Sequence, residues 1–463
     1  CLNEERSWEL LDKIAISWRE DRVTKTYMEK FGKEMIGYCG GLPLAITILG
    51  GLLAAKQTRE EWEDVLRHIK SYLHVEQNLR VNKVLALSYN DLPCHLKPCF
   101  LYLGLFPKDF EIPTKELIRM WMGEGFISEI HHNRGREYTM DDVGHQYLRE
   151  LVQRCMVLVG KMGSLGRIKS CRMHDLMRDF CVSKAQEENF LHITNILFLK
   201  QHEAQNGKVR RLAMESDDNY IKGIKFSEYP YLRSLLYLLP CQNNRLQSYS
   251  YFKESCFKKF KLVRVLHLEN FQKHECKLPK DIRCLIFLRY FSLKYSNIQK
   301  VPSSIGNMRC LETLDLQVFS GSRVPNVFKY IKQLKQLYLP KYYRVCCKLE
   351  LGNLSYLQTL VNVQPKTIQI PTWFKLNRLR VLKVMNNEWA QDAIQILVSR
   401  CQHIEKLHLY LPIKKLPDAH QFSPYLAKLT LSGTKLEEDP METGFGFSPF
   451  LFEMESVQLR AEV

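Results

Sequence analysis

At 463 residues the chain exceeds what one hydrophobic core organises, so about two to four domains are expected. A composition of 45% hydrophobic and 25% charged residues excludes wholesale disorder. The net charge of +17 is confined to one region: residues 1–82 sum to −1, 83–190 to +1, and 191–463 carry the whole excess.

The chain opens on Cys1 and a helical pattern begins at once, as expected of a start inside a larger protein. Residues 1–20 mix charges with apolar side chains and lack the continuous apolar stretch of a secretory leader. The most apolar segment, residues 42–55, has 14 residues. A bilayer span needs roughly 20, so a buried helix is expected there. Helical spacing covers 27–55 and 60–73, with Gly40-Gly41 and Pro43 punctuating the first run. Proline suits a helix's first turn, where a missing N–H costs no intrahelical bond. Residues 1–80 therefore read as a helical domain.

Residues 81–190 read as a mixed block. Helices are expected near 84–92, 96–105 and 114–124, then a hairpin joining 155–159 to 167–171 across 161–166, then a helix over 175–185. That order fits a winged helix. Cys94, His95 and Cys99 suggest zinc at first sight, but no second ligand pair stands nearby, and no metal is expected. The 15 cysteines contain no Cys-x-x-Cys pair, which favours reduced, buried thiols.

From residue 209 onward an apolar-x-x-apolar-x-apolar pattern returns every 22 to 25 residues, save one step of 31. Its first positions are Val209, Leu232, Val263, Leu288, Leu311, Leu334, Leu357, Leu379, Ile404 and Leu426. An aliphatic-proline pair keeps the same period at Leu278-Pro279, Val301-Pro302, Val324-Pro325, Ile370-Pro371 and Leu416-Pro417. Two markers locked to one period predict a leucine-rich-repeat solenoid, an α/β horseshoe over 191–463. The proline belongs in the irregular return segment, because it cannot donate to a central strand. The long step places an insertion near 241–255, and the chain ends within an eleventh unit. The fold class is thus α+β and multidomain. Arg289, Tyr290, Lys335, Tyr338, Arg380, Lys406 and His408 fall between the repeat leucines, where they face solvent and suit an acidic protein partner.

Four signatures occur in order: Ser7-Trp-Glu-Leu10, Gly41-Leu-Pro-Leu44, the apolar run from Cys99 to Pro107, and Met173-His-Asp175. With the repeats, they make the chain resemble plant nucleotide-binding leucine-rich-repeat (NB-ARC) disease-resistance proteins, the third signature that of the coiled-coil class. Gly41-Leu-Pro-Leu44 reads by itself as a helix entry, and Asp175 as a cap for the helix that follows. The resemblance adds a second role to each. Pro43 would contact the base and sugar of ADP or ATP, with Gly41 and Leu42 shaping its approach. His174 would touch the β-phosphate of ADP, an imidazole being a donor from either nitrogen, and Asp175 would orient it.

The sequence departs from the family in one respect: no Gly-x-x-x-x-Gly-Lys-Ser/Thr occurs. Phosphate cradling and Mg²⁺ would come through a region N-terminal to this chain, so no enzyme activity is expected here. The resemblance implies a plant innate-immune receptor, cytoplasmic or at the inner face of the plasma membrane. ADP would hold it closed. A pathogen effector or a modified host protein would bind the repeats, and exchange to ATP would open it for oligomerisation and a defence response. Intramolecular partners would be the nucleotide-binding and coiled-coil domains. A nucleotide-independent repeat scaffold is the other reading. DNA binding is not expected, because the winged-helix block is nearly neutral.

Overall fold

The helical spacing of the first block becomes four helices: α1 (Glu4–Ala15), α2 (Arg22–Ile36), α3 (Pro43–Ala54) and α4 (Arg59–Ser71). The computed structural model describes residues 1–20, 22–71, 80–127, 139–163, 166–194, 209–214, 229–238, 257–269, 276–278, 280–318, 321–369, 376–385, 391–437 and 451–455. These form two units, Cys1–His192 and Ile193–Val463.

In the first unit the expected run from 27 to 55 is broken by a tight 3-10 turn at Gly37–Cys39. Gly40 and Gly41 follow at φ +59° and +69°, a backbone region that side chains disfavour. A Cβ on Gly41 would also lie 2.4 Å from the Leu2 carbonyl oxygen. α3 is the central rod of the block, with Ala45, Ile46, Ile48, Leu49, Leu52 and Leu53 all buried. It packs on α1 and on α5 (Arg80–Asn90).

α6 (Lys97–Leu103), β1 (Ile112–Pro113), α7 (Thr114–Glu124) and α8 (Met140–Gln153) come next, then β2 (Leu158–Val159), β3 (Ser170–Arg172) and α9 (Asp175–Glu187). The expected hairpin forms, with Leu158 opposite Arg172 and Val159 opposite Cys171. It is shorter than expected, and β1 joins it to give the antiparallel order β1-β3-β2. α8 was not anticipated. Its entry carries a legible signal, a capping box in which Thr139 and Asp142 each satisfy the other's backbone N–H.

The second unit lies on a twelve-stranded sheet. It starts with β4 (His192–Thr194), β5 (Arg211–Met214), β6 (Ser234–Tyr237) and β7 (Val265–Leu268). Strands on the return side then alternate with those of the main sheet: β8 (Cys276–Lys277), β9 (Tyr290–Ser292), β10 (Ile298–Lys300), β11 (Thr313–Asp315), β12 (Ser322–Val324), β13 (Gln336–Tyr338) and β14 (Tyr343–Val345). β15 (Thr359–Val363), β16 (Val381–Met385), α10 (Gln391–Arg400), β17 (Lys406–Tyr410), β18 (Lys428–Ser432) and β19 (Leu451–Glu455) complete it.

Each strand from β5 to β18 in the main sheet begins two residues after its repeat leader, and the pairs recorded there are parallel. Register runs one repeat to the next, as in Thr313 opposite Tyr290 and Gln336. β19 extends the ladder beside β18, where an eleventh unit was expected. The return segments are less irregular than the prolines implied: β8, β10, β12 and β14 form a second parallel sheet. Pro302 and Pro325 stand just beyond the ends of β10 and β12, where a missing N–H leaves the ladder intact. Between the sheets one apolar core runs from Leu212 to Leu436. The expected insertion at 241–255, together with Pro279, Ile370 and Pro371, lies outside the described residues. Among the described residues no helix is long and apolar enough to cross a membrane.

Candidate functional site

The nucleotide-contact candidates sit at two helix N-termini in the first unit. Leu42 adopts an extended backbone (φ −81°, ψ 119°) as the N-cap of α3, which lets Pro43 occupy the first turn. The Leu2 N–H donates to the Gly41 carbonyl at 2.7 Å and fixes the approach to the helix. Although most of α3 is buried, this entry reaches the surface: Gly41 and Leu42 are half-buried and Pro43 is exposed.

At the second N-terminus the structure corrects one assignment. His174, not Asp175, is the N-cap of α9: its Nδ1 accepts the Leu176 N–H at 3.3 Å, and its carbonyl accepts the Arg178 N–H at 2.8 Å. Asp175 is the first helical residue, so its carboxylate stands beyond the cap position. Its Oδ1 is buried without a hydrogen-bond partner among the described residues. Accepting through Nδ1 leaves the proton on Nε2 in the neutral ring, and the ring is exposed. The cap thus selects the tautomer and turns a donor away from the helix.

α9 is held by the apolar run from Cys99 to Pro107. Met177, Cys181 and Ala185 are buried at helical spacing. The Cys181 thiol donates to the Phe100 carbonyl at 3.4 Å, and the Arg178 Nε donates to the Phe106 carbonyl at 2.6 Å. Burial pushes the Cys181 thiol up to about 12 and the Cys99 thiol well above its ordinary value. Cys99 therefore points into the core, while Cys94 is exposed.

Both helices meet α5 at their C-terminal ends. Tyr89 Oη donates to Glu188 at 2.8 Å, just past the C-terminal end of α9. Asp91, just past α5, accepts from Lys56 at 2.6 Å beyond the end of α3, and from Arg154 at 2.8 Å beyond the end of α8. The C-terminal ends of α3, α5 and α9 thereby share one junction. Pro43 and His174 mark the opposite ends of their helices.

In the second unit the seven inner-face candidates divide. Tyr290 and Tyr338 were expected to face solvent, but they are 1% and 9% exposed. The Tyr290 hydroxyl lies 3.3 Å from His267 Nδ1, and the two rings stack at 6.1 Å. Spacing told which residues leave the core between the sheets, but not that the residues of the other face are themselves buried from β5 through β15. Lys335 is paired with Glu312 at 2.9 Å, and Arg380 with Glu405 at 3.4 Å. Lys406 and His408 on β17 are half-buried, as is Arg289.

Arg289 belongs to a row that the sequence reading missed. The backbone N–H groups of Arg233, Arg264 and Arg289 donate in turn to the carbonyls of Arg210, Arg233 and Arg264 at 2.6, 2.7 and 2.8 Å. Four arginines therefore occupy one position of successive repeats, and Glu312 follows them in the same row. Aligning the repeats by leader and reading down the column would have found them.

Comparison with known proteins supplies the remaining observations. Residues 105–181 match a model described as the disease resistance protein winged helix domain, and residues 232–441 one described as a leucine-rich repeat region. The probable disease resistance RPP8-like protein 2 of Arabidopsis thaliana is 35% identical over 480 residues, covering 95% of this chain and 52% of its own. The probable disease resistance protein RXW24L of Arabidopsis thaliana is also 35% identical, at the same coverage. Disease resistance RPP8-like protein 3 of the same plant is 34% identical and covers 99% of this chain and 53% of its own. The chain thus spans about half the length of the curated relatives it matches. Among solved structures, a leucine-rich-repeat protein of Leptospira interrogans is similar at 19% identity and a TM-score of 0.38, covering 60% of this chain and 82% of its own.

Proposed function

We propose that this chain, homologous along nearly its whole length to plant disease-resistance proteins, is the sensor hinge and recognition array of a plant immune receptor. In this reading residues 1–80 and 81–190 form the hinge and 191–463 the array. Pro43 packs against the base and sugar of ADP, and His174 donates from Nε2 to the β-phosphate.

One observation carries the proposal. His174 caps a 13-residue helix through Nδ1 and presents an exposed ring at the helix's positive end. The helix dipole favours an anion there, and Nε2–H supplies a directed donor. A ligand that touches this cap in one arrangement of the hinge and not in another biases the equilibrium between them. Equal affinity for both would shift nothing.

The test joins this chain to the upstream nucleotide-binding domain of a relative and measures the ADP that co-purifies. Retention in the parent, reduced roughly tenfold by His174→Ala and less by Pro43→Ala, is the expected result. Undiminished ADP in both variants would sink the proposal. Partner capture unaffected by either change, with no ADP retained in the parent, would leave the nucleotide-independent scaffold in its place.

A further inference from the structure

Nine repeats enter their strands through the same tight turn, which leaves a rim along one edge of the array. In each, the N–H of the leader donates to the carbonyl three residues back: Leu232 to Tyr229, Leu288 to Leu285, Leu357 to Leu354, and so on to Leu426 and Ser423. The turn buries its first and last residues and presents its two central ones, which are exposed in every case except the half-buried Cys310. None of these central residues is acidic. Lys261, Arg309, Lys332 and Arg378 supply the charge, and Tyr231, Phe287, Tyr356 and Tyr425 supply exposed rings. The rings are substantially open, Tyr231 at 57%, Phe287 at 48% and Tyr425 at 63%. At the spacing of adjacent strands, roughly 4.8 Å, the rim extends about 40 Å.

We infer that this rim, rather than the inner face alone, is a docking surface for an acidic polypeptide segment that carries apolar side chains. The inference rests on the array being a recognition surface and names the chemistry of its partner. Tyrosine and arginine are enriched where protein interfaces hold their binding energy, and a rim of one sign selects the opposite charge. A single-stranded nucleic acid is disfavoured because its bases need open ring faces. Here the Arg378 guanidinium lies 5.2 Å over the Tyr356 ring, and His403 stacks on Tyr425 at 6.0 Å and 20°. Two of the four rings thus already carry a partner on one face, with the cations beside them, which suits carboxylates and aliphatic side chains more than a run of stacked bases.

The experiment uses the full chain and a short fluorescent peptide in which glutamate alternates with leucine, read by anisotropy. The double change Lys332→Glu with Arg378→Glu is expected to weaken binding roughly tenfold or more, whereas Lys383→Glu on β16 changes it by less than about twofold. Arg378→Lys should retain most of the affinity. All three side chains are exposed or half-buried, so circular dichroism should show every variant folded. Failure of the peptide to bind, an equal loss with Lys383→Glu, or no loss with the double change would overturn the inference. Tighter binding of labelled polyuridylate, abolished by the same double change, would overturn it in favour of a nucleic acid. Retention of ADP by the fused protein is independent of the rim, so failure there is separate from failure here.

Discussion

The two units bury comparable side chains by different means. In the first, helices from distant parts of the chain converge on unrepeated contacts: Tyr89 lies 5.7 Å from Phe100 and 6.3 Å from Phe180, and Trp62 is fully buried. In the second, Leu288, Leu311, Leu334 and Leu357 occupy one position again and again, each 0% exposed. A repeat touches only its neighbours, so damage to it stays local, whereas damage to a converging core is shared by every element that meets there.

The largest test of that contrast pairs two truncations. Phe100→Ala should cost about 4 kcal/mol and Leu337→Ala about 3 kcal/mol, by lost transfer energy and the cavity left behind. Hydrogen exchange should then show protection falling throughout the first unit for Phe100→Ala. For Leu337→Ala it should fall mainly in β11, β13 and β15. A uniform fall across the array would break the comparison.

Gly51→Ala tests a close approach inside the first unit. A Cβ there would lie 2.5 Å from the Arg154 carbonyl carbon, which is backbone and cannot swing aside. A loss of about 2–3 kcal/mol in urea denaturation is expected. A neutral outcome would mean that α3 and the end of α8 are less tightly seated than drawn.

Asp91→Ala should cost less, about 1–3 kcal/mol, by leaving the half-buried Lys56 and Arg154 heads without their shared carboxylate. A double-mutant cycle with Lys56→Met should recover part of the loss. Strict additivity would argue that the pair contributes nothing.

The smallest effect concerns thiols. Burial pushes Cys39, Cys171, Cys181 and Cys401 up to about 12, so almost no thiolate exists at pH 8. Iodoacetamide should label the exposed Cys94, Cys346 and Cys347 in native protein and reach those four only in denaturant, as read by mass spectrometry. Labelling of Cys401 before denaturation would show that the array opens locally.

How much was legible follows from the same contrast. The repeat leaders and strand positions could be read directly, because one spacing recurs and each instance supports the next. Residues 114–124 were bounded correctly by a threonine start and a glycine at φ +85°, signals that are local. α8 was missed although it was legible twice over, in the Thr139–Asp142 box and in Val143, Tyr147, Leu148 and Leu151, which recur at helical spacing and are buried. Asp175 was misassigned because N-cap preference ranks aspartate above histidine, while the backbone placed His174 in the extended cap conformation. Tyr290 and Tyr338 were misjudged because strand alternation tells which side a residue takes, not whether that side is covered. The contact roles of Pro43 and His174 came from resemblance, since a helix entry and a cap look the same with or without a nucleotide.

The ion cluster at Asp91 has a mechanical consequence. One carboxylate holds an ammonium from beyond the end of α3 and a guanidinium from beyond the end of α8, close to the point where Gly51 meets the Arg154 backbone. Any shift of α3 against the end of α8 would have to shear this latch or pivot about it. Ionic strength, which weakens the electrostatic half of the latch and leaves the steric half untouched, would act as a throttle on the motion.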